Sequence, residues 1–133
     1  MYLIDTSIWI DYLRERDNAS IRNFQKILEQ KLPFGITSII YQEILQGAES
    51  KQDFNQLVDY FSTQKFFHPA DEITSFVEAA RLYFDCRKKG ITIRSSMDCL
   101  IAQIAIENDL ILVHNDKDYI NLHKILPKLK LQG

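Results

Sequence analysis

The sequence predicts an α/β fold in which a mainly parallel sheet is covered by helices on both faces. Three observations carry that prediction. Short apolar runs recur at Tyr2-Leu3-Ile4, Phe34 to Thr37, Lys65 to His68 and Leu110 to Val113, the length and composition of buried strands. Segments between them place apolar residues three and four positions apart, which is the helical period. Parallel neighbours need crossover connections, and these helices are long enough to supply them.

Taken in order, Tyr2-Leu3-Ile4 stops at Asp5-Thr6-Ser7, where Thr6 or Ser7 can cap a helix carrying Ile8, Trp9, Tyr12 and Leu13. A second helix is expected from Ser20 to Gln30, with Ile21, Phe24, Ile27 and Leu28 on one side and Pro33 beyond its end. After the strand Phe34 to Thr37, Ser38 opens a helix through Ile39, Ile40, Ile44 and Leu45 that ends near Gly47. Phe54, Leu57, Val58 and Phe61 mark the next helix, and Pro69 closes the strand at Lys65 to His68. A long helix is predicted over Asp71 to Lys89, stopped by Gly90. Ile91 to Ser95 connects it to Ser96 through Asn108, a segment apolar on most sides and so expected in the centre of the domain. The strand Leu110 to Val113, a short helix around Tyr119 to His123 and an edge strand at Leu129 to Leu131 complete the chain.

At 133 residues, 46% hydrophobic and 26% charged, the chain has the size of one domain, 1–133. No apolar run reaches the roughly 18 residues of a membrane span, and Asp5 interrupts the start too early for a secretory signal. A cytoplasmic protein is the expectation. Cys86 and Cys99 lack partners at metal-ligand spacing and read as reduced packing residues. A formal charge of −2 speaks at first against a nucleic-acid partner. Setting aside Asp5, Glu43, Asp98 and Asp116 from the 18 acids, however, leaves the rest of the chain slightly basic, against 16 Lys and Arg. Arg81, Arg87, Lys88, Lys89 and Arg94, with only Asp85 between them, form either a solvated helix end or a track for phosphates.

Those four acids stand where acids are costly or consequential. Glu43 shares a helical face with Ile39, Ile40 and Gly47, and Asp98 precedes Ile101 and Ala102 in a helix with little polar surface. A buried carboxylate without a partner costs several kcal/mol and persists only when it is neutralised, hydrogen-bonded or bound to a cation. Asp5 and the Asn115-Asp116 turn each follow a strand directly, at the carboxyl edge where parallel sheets bind ligands. Each acid alone also has a structural reading, as a helix-dipole or turn residue. Together they form an oxygen-rich set suited to Mg²⁺ or Mn²⁺. Such a metal promotes phosphodiester hydrolysis. Ser7, Cys86 and Cys99 lack the motifs of covalent nucleophiles, and His68, His114 and His123 are too scattered for a zinc set.

With these residues in view, the sequence resembles the PIN domains, and within them the VapC-type toxins of toxin-antitoxin pairs. Leu3-Ile4-Asp5-Thr6-Ser7 is similar to the first motif of the family, SIIYQEILQG from Ser38 to Gly47 to the second, Ser96 to Ala102 to the third, and LVHNDKDY from Leu112 to Tyr119 to the fourth. The fourth is the loosest, since Asn115, Asp116 and Asp118 compete within it; Asp116 is favoured. The resemblance implies a three-layer α/β/α sandwich, Mg²⁺ or Mn²⁺ dependence, RNA cleavage, frequent homodimers and an antitoxin (VapB-like) whose tail blocks the acids. By that likeness Asp5, Asp98 and Asp116 hold the metal, and Glu43 orients or deprotonates the attacking water. Thr6, Ser7 and Asn115 support the site, with Asp118 as the alternative acid. Arg94 and Ser95 would contact a substrate phosphate unless Ser95 and Ser96 simply cap the helix. Trp9 and Tyr119 would stack on bases or belong to the core. A non-catalytic RNA- or protein-binding module and a metal-dependent phosphatase are the alternative functions, although the Asp-x-Asp of such phosphatases is missing after the first strand.

Overall fold

The structure, a computed structural model, describes residues 1–132. Five strands form one sheet: β1 (Tyr2–Ile4), β2 (Phe34–Thr37), β3 (Phe66–Phe67), β4 (Ile111–Val113) and β5 (Lys130–Gln132). Their order is β3-β2-β1-β4-β5 and every pairing is parallel. Tyr2 pairs with Phe34 on one side and with Ile111 on the other, so β1 lies at the centre. Leu3, Ile4, Ile36, Leu112 and Val113 are fully buried, as strands covered on both faces require.

Between β1 and β2 run α1 (Thr6–Leu13) and α2 (Ala19–Glu29), and between β2 and β3 run α3 (Ser38–Gln46) and α4 (Lys51–Ser62). The chain then returns across the sheet through α5 (Thr74–Lys88) and α6 (Ser96–Glu107), and α7 (Lys117–Ile125) links β4 to β5. Because β-α-β crossovers are right-handed, connections travelling in opposite directions along the sheet lie on opposite faces. The helix contacts divide accordingly: α1 packs on α2 and α3, and α3 on α4, while α5, α6 and α7 pack on one another. This is the expected three-layer α/β/α sandwich. Strand order changes direction between β1 and β4, so the carboxyl ends of these two strands open the crevice of the fold.

The helix starts explain most of the boundary differences. Asp5, rather than Thr6 or Ser7, caps α1 by accepting from the Ser7 N–H. Asp116 caps α7 by accepting from the Asp118 N–H, and the helix starts at Lys117, two residues before the expected Tyr119. Asp71 accepts from the N–H groups of Ile73 and Thr74 in a turn, which delays α5 to Thr74. The last strand begins one residue late, since Leu129 still belongs to the preceding turn through its bond to the Leu126 carbonyl.

Trp9 is a core residue, packed edge-on against Phe24 at 5.0 Å and Phe61 at 4.8 Å, and it is not available for stacking on bases. Cys86 and Cys99 are buried and unbonded, and burial pushes the Cys99 thiol up to about 12, consistent with a packing role.

Gly35 shows how tightly the short strands are set. A Cβ there would lie 2.5 Å from the Lys65 carbonyl oxygen and 2.6 Å from the Phe67 ring, so only glycine lets β3 close on β2. Gly35→Ala is expected to destabilise the fold by about 1–3 kcal/mol, read as a lowered urea midpoint with an unchanged slope. An unchanged midpoint would mean that β3 is free to shift.

Candidate active site

At the end of β1, Asp5 is 4% exposed and held at both oxygens. Its Oδ2 accepts from the Ser7 backbone N–H at 3.0 Å and from Ser7 Oγ at 2.6 Å. Ser7 Oγ in turn accepts from the Asn115 N–H at 3.0 Å, which joins the turn after β4 to the turn after β1. On the other side, Tyr119 Oη donates to Asp5 Oδ1 at 2.7 Å and lies 3.2 Å from Asp98 Oδ1. Tyr119 is fully buried, so the base-stacking expectation is overturned here: the residue is wedged between two acids. The signal available in the sequence was its spacing from Leu122 and from the cap Asp116, which places it on the inner side of α7.

Asp98 lies in the first turn of α6 and is buried. Burial, then the facing Asp118 and the charges of Asp5 and Asp116, push its carboxyl up to about 8. Asp98 therefore keeps a proton at neutral pH when no cation is present. Burial alone would raise Asp118 too, but hydrogen bonds from Asp98, from the Arg94 and Ser95 backbone and from the Arg94 side chain hold it below the usual range. Burial drives the Tyr119 phenol well above its ordinary range, reinforced by Asp5 and Asp98. Burial also raises Glu43 against the opposing Thr6 hydrogen bond, with the charges of Asp5 and Asp116 adding to the rise. Thr6 Oγ1 donates to Glu43 Oε1 at 2.7 Å and fixes this half-buried side chain against α1.

Both competing acids of the fourth motif reach the cluster. Oxygens of Asp98, Asp116 and Asp118 all lie within 4.8 Å of one another. Asp116 Oδ1 accepts from the Asp118 N–H at 2.9 Å and from Arg94 Nη2 at 2.6 Å. Asp118 Oδ2 accepts from the N–H groups of Arg94 and Ser95 at 3.0 and 3.2 Å, and its Oδ1 lies 3.3 Å from Arg94 Nε. Arg94 is thus paired with the acids, and Ser95 takes the cap position of α6 without a side-chain cap bond. Asn115 Nδ2 donates to Asp11, which also binds Arg16 and Asn18. The remaining strand-end residue, His114, is buried, lowered in basicity by that burial, and accepts from the Asp116 N–H at Nδ1.

Asp5, Glu43, Asp98, Asp116 and Asp118 feel one another's charge, while Arg94 is the one cation bonded to them among the described residues. Every donor they offer is oxygen, the preference of a hard divalent cation. A cation would also offset the burial and the repulsion that together protonate Asp98. Beside Glu43, a cleft of about 300 Å³ is lined by Ile10, Leu13, Ile44 and Leu57, with Glu49 and Asp53. No helix among the described residues is long and apolar enough to cross a membrane.

Comparison with known proteins places this arrangement in a family. The PIN domain family model matches residues 2–125. Ribonuclease VapC11 of Mycobacterium tuberculosis is 32% identical over 120 residues, covering 90% of this chain and 89% of that protein. VapC ribonuclease Mb1587 of Mycobacterium bovis matches to the same extent. Among solved structures, VapBC2 from Rickettsia felis bound to a promoter DNA fragment superposes with a TM-score of 0.73 at 24% identity, over 98% of this chain and 96% of that chain. FitAcB from Neisseria gonorrhoeae gives 0.69 at 17% identity, over 100% and 97%. The structural likeness speaks for the fold, and the family match together with the mycobacterial relatives establishes that this chain belongs to the PIN domain family.

Proposed function

We propose that the chain acts as one nuclease domain, an endoribonuclease that cleaves RNA phosphodiesters with Mg²⁺ or Mn²⁺, and that it is the toxin of a VapBC-type toxin-antitoxin pair. The observation that carries this reading is the convergence of five acids, with oxygen donors alone, on the crevice between β1 and β4. The ribonuclease names of the mycobacterial relatives support the substrate. The cytoplasm is the corresponding place of action, and the exposed Ile73, Phe76, Val77 and Phe84 along α5 support a homodimer. The cleft beside Glu43, with an apolar floor of Ile10, Leu13, Ile44 and Leu57 and a charged rim of Arg14, Glu49 and Asp53, would seat an antitoxin segment next to the acids.

In this mechanism Asp5, Asp98 and Asp116 would hold the ion. When bound, it neutralises charge gathering on the phosphodiester and makes water more acidic. Glu43 accepts the proton of the attacking water through Oε2, since Thr6 occupies Oε1, and burial gives this carboxylate more basicity than an exposed one. Ser7 and Tyr119 keep Asp5 in place from both sides. Arg94, whose side chain is 67% exposed, presents its guanidinium to the phosphate as negative charge develops. The Ser95 N–H is engaged by Asp118, so the Ser95 backbone serves the site by holding that acid and only the hydroxyl is left for the phosphate.

Incubating total RNA with purified, antitoxin-free protein tests the activity. Discrete fragments are expected with Mg²⁺ or Mn²⁺, none with EDTA, and a loss of about 10²-fold or more in an Asp98→Asn variant of verified fold. RNA retention without cleavage under any metal would favour the non-catalytic binding module, and release of phosphate from monoesters would favour the phosphatase.

A second test uses stability. Asp98 titrates near its ordinary value of 3.8 in the unfolded chain and at about 8 in the fold. Between these values the unfolded chain has already released a proton that the folded chain still binds. Rising pH therefore lowers stability through that window, and the loss is complete above about pH 8. Without metal at pH 9, Asp98→Asn should exceed the wild type by about 1–3 kcal/mol, and near pH 3 the difference should vanish. Equal urea midpoints at pH 9 would contradict the protonated, metal-free Asp98.

A further inference from the structure

Distance alone does not separate Asp116 from Asp118, because both offer an oxygen to Asp98 within the same 4.8 Å. Their surroundings do. The Asp118 side chain is 3% exposed, and each of its oxygens already has protein donors: two backbone N–H groups on Oδ2 and the Arg94 guanidinium on Oδ1. A carboxylate oxygen has two lone pairs, so Oδ2 is saturated by Arg94 and Ser95. The Asp116 side chain is 26% exposed and its donors, the Asp118 N–H and Arg94 Nη2, both sit on Oδ1. Its Oδ2 has no protein donor among the described residues.

The segment that Asp118 grips is the one that starts α6. Ser95 occupies the cap position of that helix, makes no side-chain cap bond and offers its carbonyl to the Asp98 N–H at 3.2 Å. Residues 94 and 95 would otherwise hang on the connector after α5. Asp118 fastens them from α7, and Asp98 follows three residues later on the first turn. The Arg94 side chain also reaches Asp116 at 2.6 Å, but among the described residues Asp118 is the acid of the cluster that holds the connector by its backbone N–H groups.

We infer that Asp118 is a positioning residue rather than a metal ligand: its carboxylate clamps the Arg94-Ser95 backbone, thereby setting Asp98, and leaves Asp116 as the fourth metal-facing acid. The inference rests on the metal-dependent reading of the site proposed above. It also assigns the paired acids of the Asn115 to Tyr119 segment different work. Asp116 faces the ion, whereas Asp118 builds the wall behind Asp98 and retains Arg94 at the rim.

The two amino acids that can replace Asp118 separate positioning from ligation. Asparagine keeps a carbonyl oxygen for the two N–H groups but gives up the charge, whereas alanine removes the clamp altogether. Mn²⁺ affinity would be measured by calorimetry on folded wild type, Asp116→Asn, Asp118→Asn and Asp118→Ala, together with amide hydrogen exchange at residues 94 and 95 and kcat of RNA cleavage at saturating Mn²⁺. Asp118→Asn is expected to hold Mn²⁺ within about threefold of wild type, while Asp116→Asn binds about tenfold more weakly or worse. Exchange at residues 94 and 95 should be about tenfold faster in Asp118→Ala than in Asp118→Asn, and kcat should fall in the alanine variant and largely recover in the asparagine one. Equal loss of Mn²⁺ affinity in Asp118→Asn and Asp116→Asn, with unchanged exchange, would overturn the inference and make Asp118 a ligand. If the wild type binds no Mn²⁺, the metal reading of the site falls instead; the exchange comparison then decides the clamp alone, faster exchange in alanine upholding it and unaltered exchange removing it.

Discussion

Everything at the carboxyl edge of this sheet answers to one constraint, the mutual repulsion of buried carboxylates. Asp5, Asp98 and Asp118 are each nearly or fully removed from water, and Glu43 and Asp116 stand close enough to feel them. Such a group is unfavourable unless its charge is divided among donors or cancelled by a cation. The surrounding residues do the dividing: Ser7 and Tyr119 on Asp5, Thr6 on Glu43, Arg94 on the Asp116-Asp118 pair. Asp98, buried and facing Asp118, has the least of this relief. It takes up a proton and shares it with Asp118.

The fold makes this crowding possible by bringing distant pieces of chain to one point. Asp5 leaves the central strand, Glu43 enters on α3 from one face of the sheet, Asp98 enters on α6 from the other, and Asp116 follows the neighbouring strand β4. The hydrogen bond from the Asn115 N–H to Ser7 Oγ and that from the Asp5 N–H to the Val113 carbonyl lock the two strand ends together. Tyr119 spans the same gap by side chain. The site is therefore part of the structural core at this edge, and the aromatic packing around Trp9 and the narrow fit at Gly35 hold the layers in register beneath it.

Much of this was legible in residue order. Alternation of apolar runs with helical periods indicated the parallel sheet, and Asp5, Glu43, Asp98 and Asp116 stood out because strand ends and inward helical faces are places where acids need a reason. Less legible were the contacts made between elements far apart in sequence. No local pattern tells that Asp118 reaches the backbone of Arg94 and Ser95, 24 and 23 residues earlier, or that Tyr119 reaches Asp5 across 114 residues. Local rules misplaced the cap of α1 for a related reason: Thr6 and Ser7 are suitable caps, but Thr6 is drawn to Glu43 and Ser7 to Asp5, leaving Asp5 to start the helix.

Asp5 and Asp116 are acids of the cluster and also the residues that begin α1 and α7. Asparagine serves as a helix cap about as well as aspartate. At Asp116, whose Oδ2 has no protein donor among the described residues, exchanging that oxygen for an amide nitrogen thus uncouples the shape of the molecule from its charge, whereas both oxygens of Asp5 are occupied by donors. A single-atom exchange at Asp116 would leave a folded molecule with its outer surface intact and one charge fewer at the crevice. Replacement by a residue without a side-chain acceptor would loosen the start of α7 as well, so at this position the fold tolerates loss of charge far better than loss of the cap.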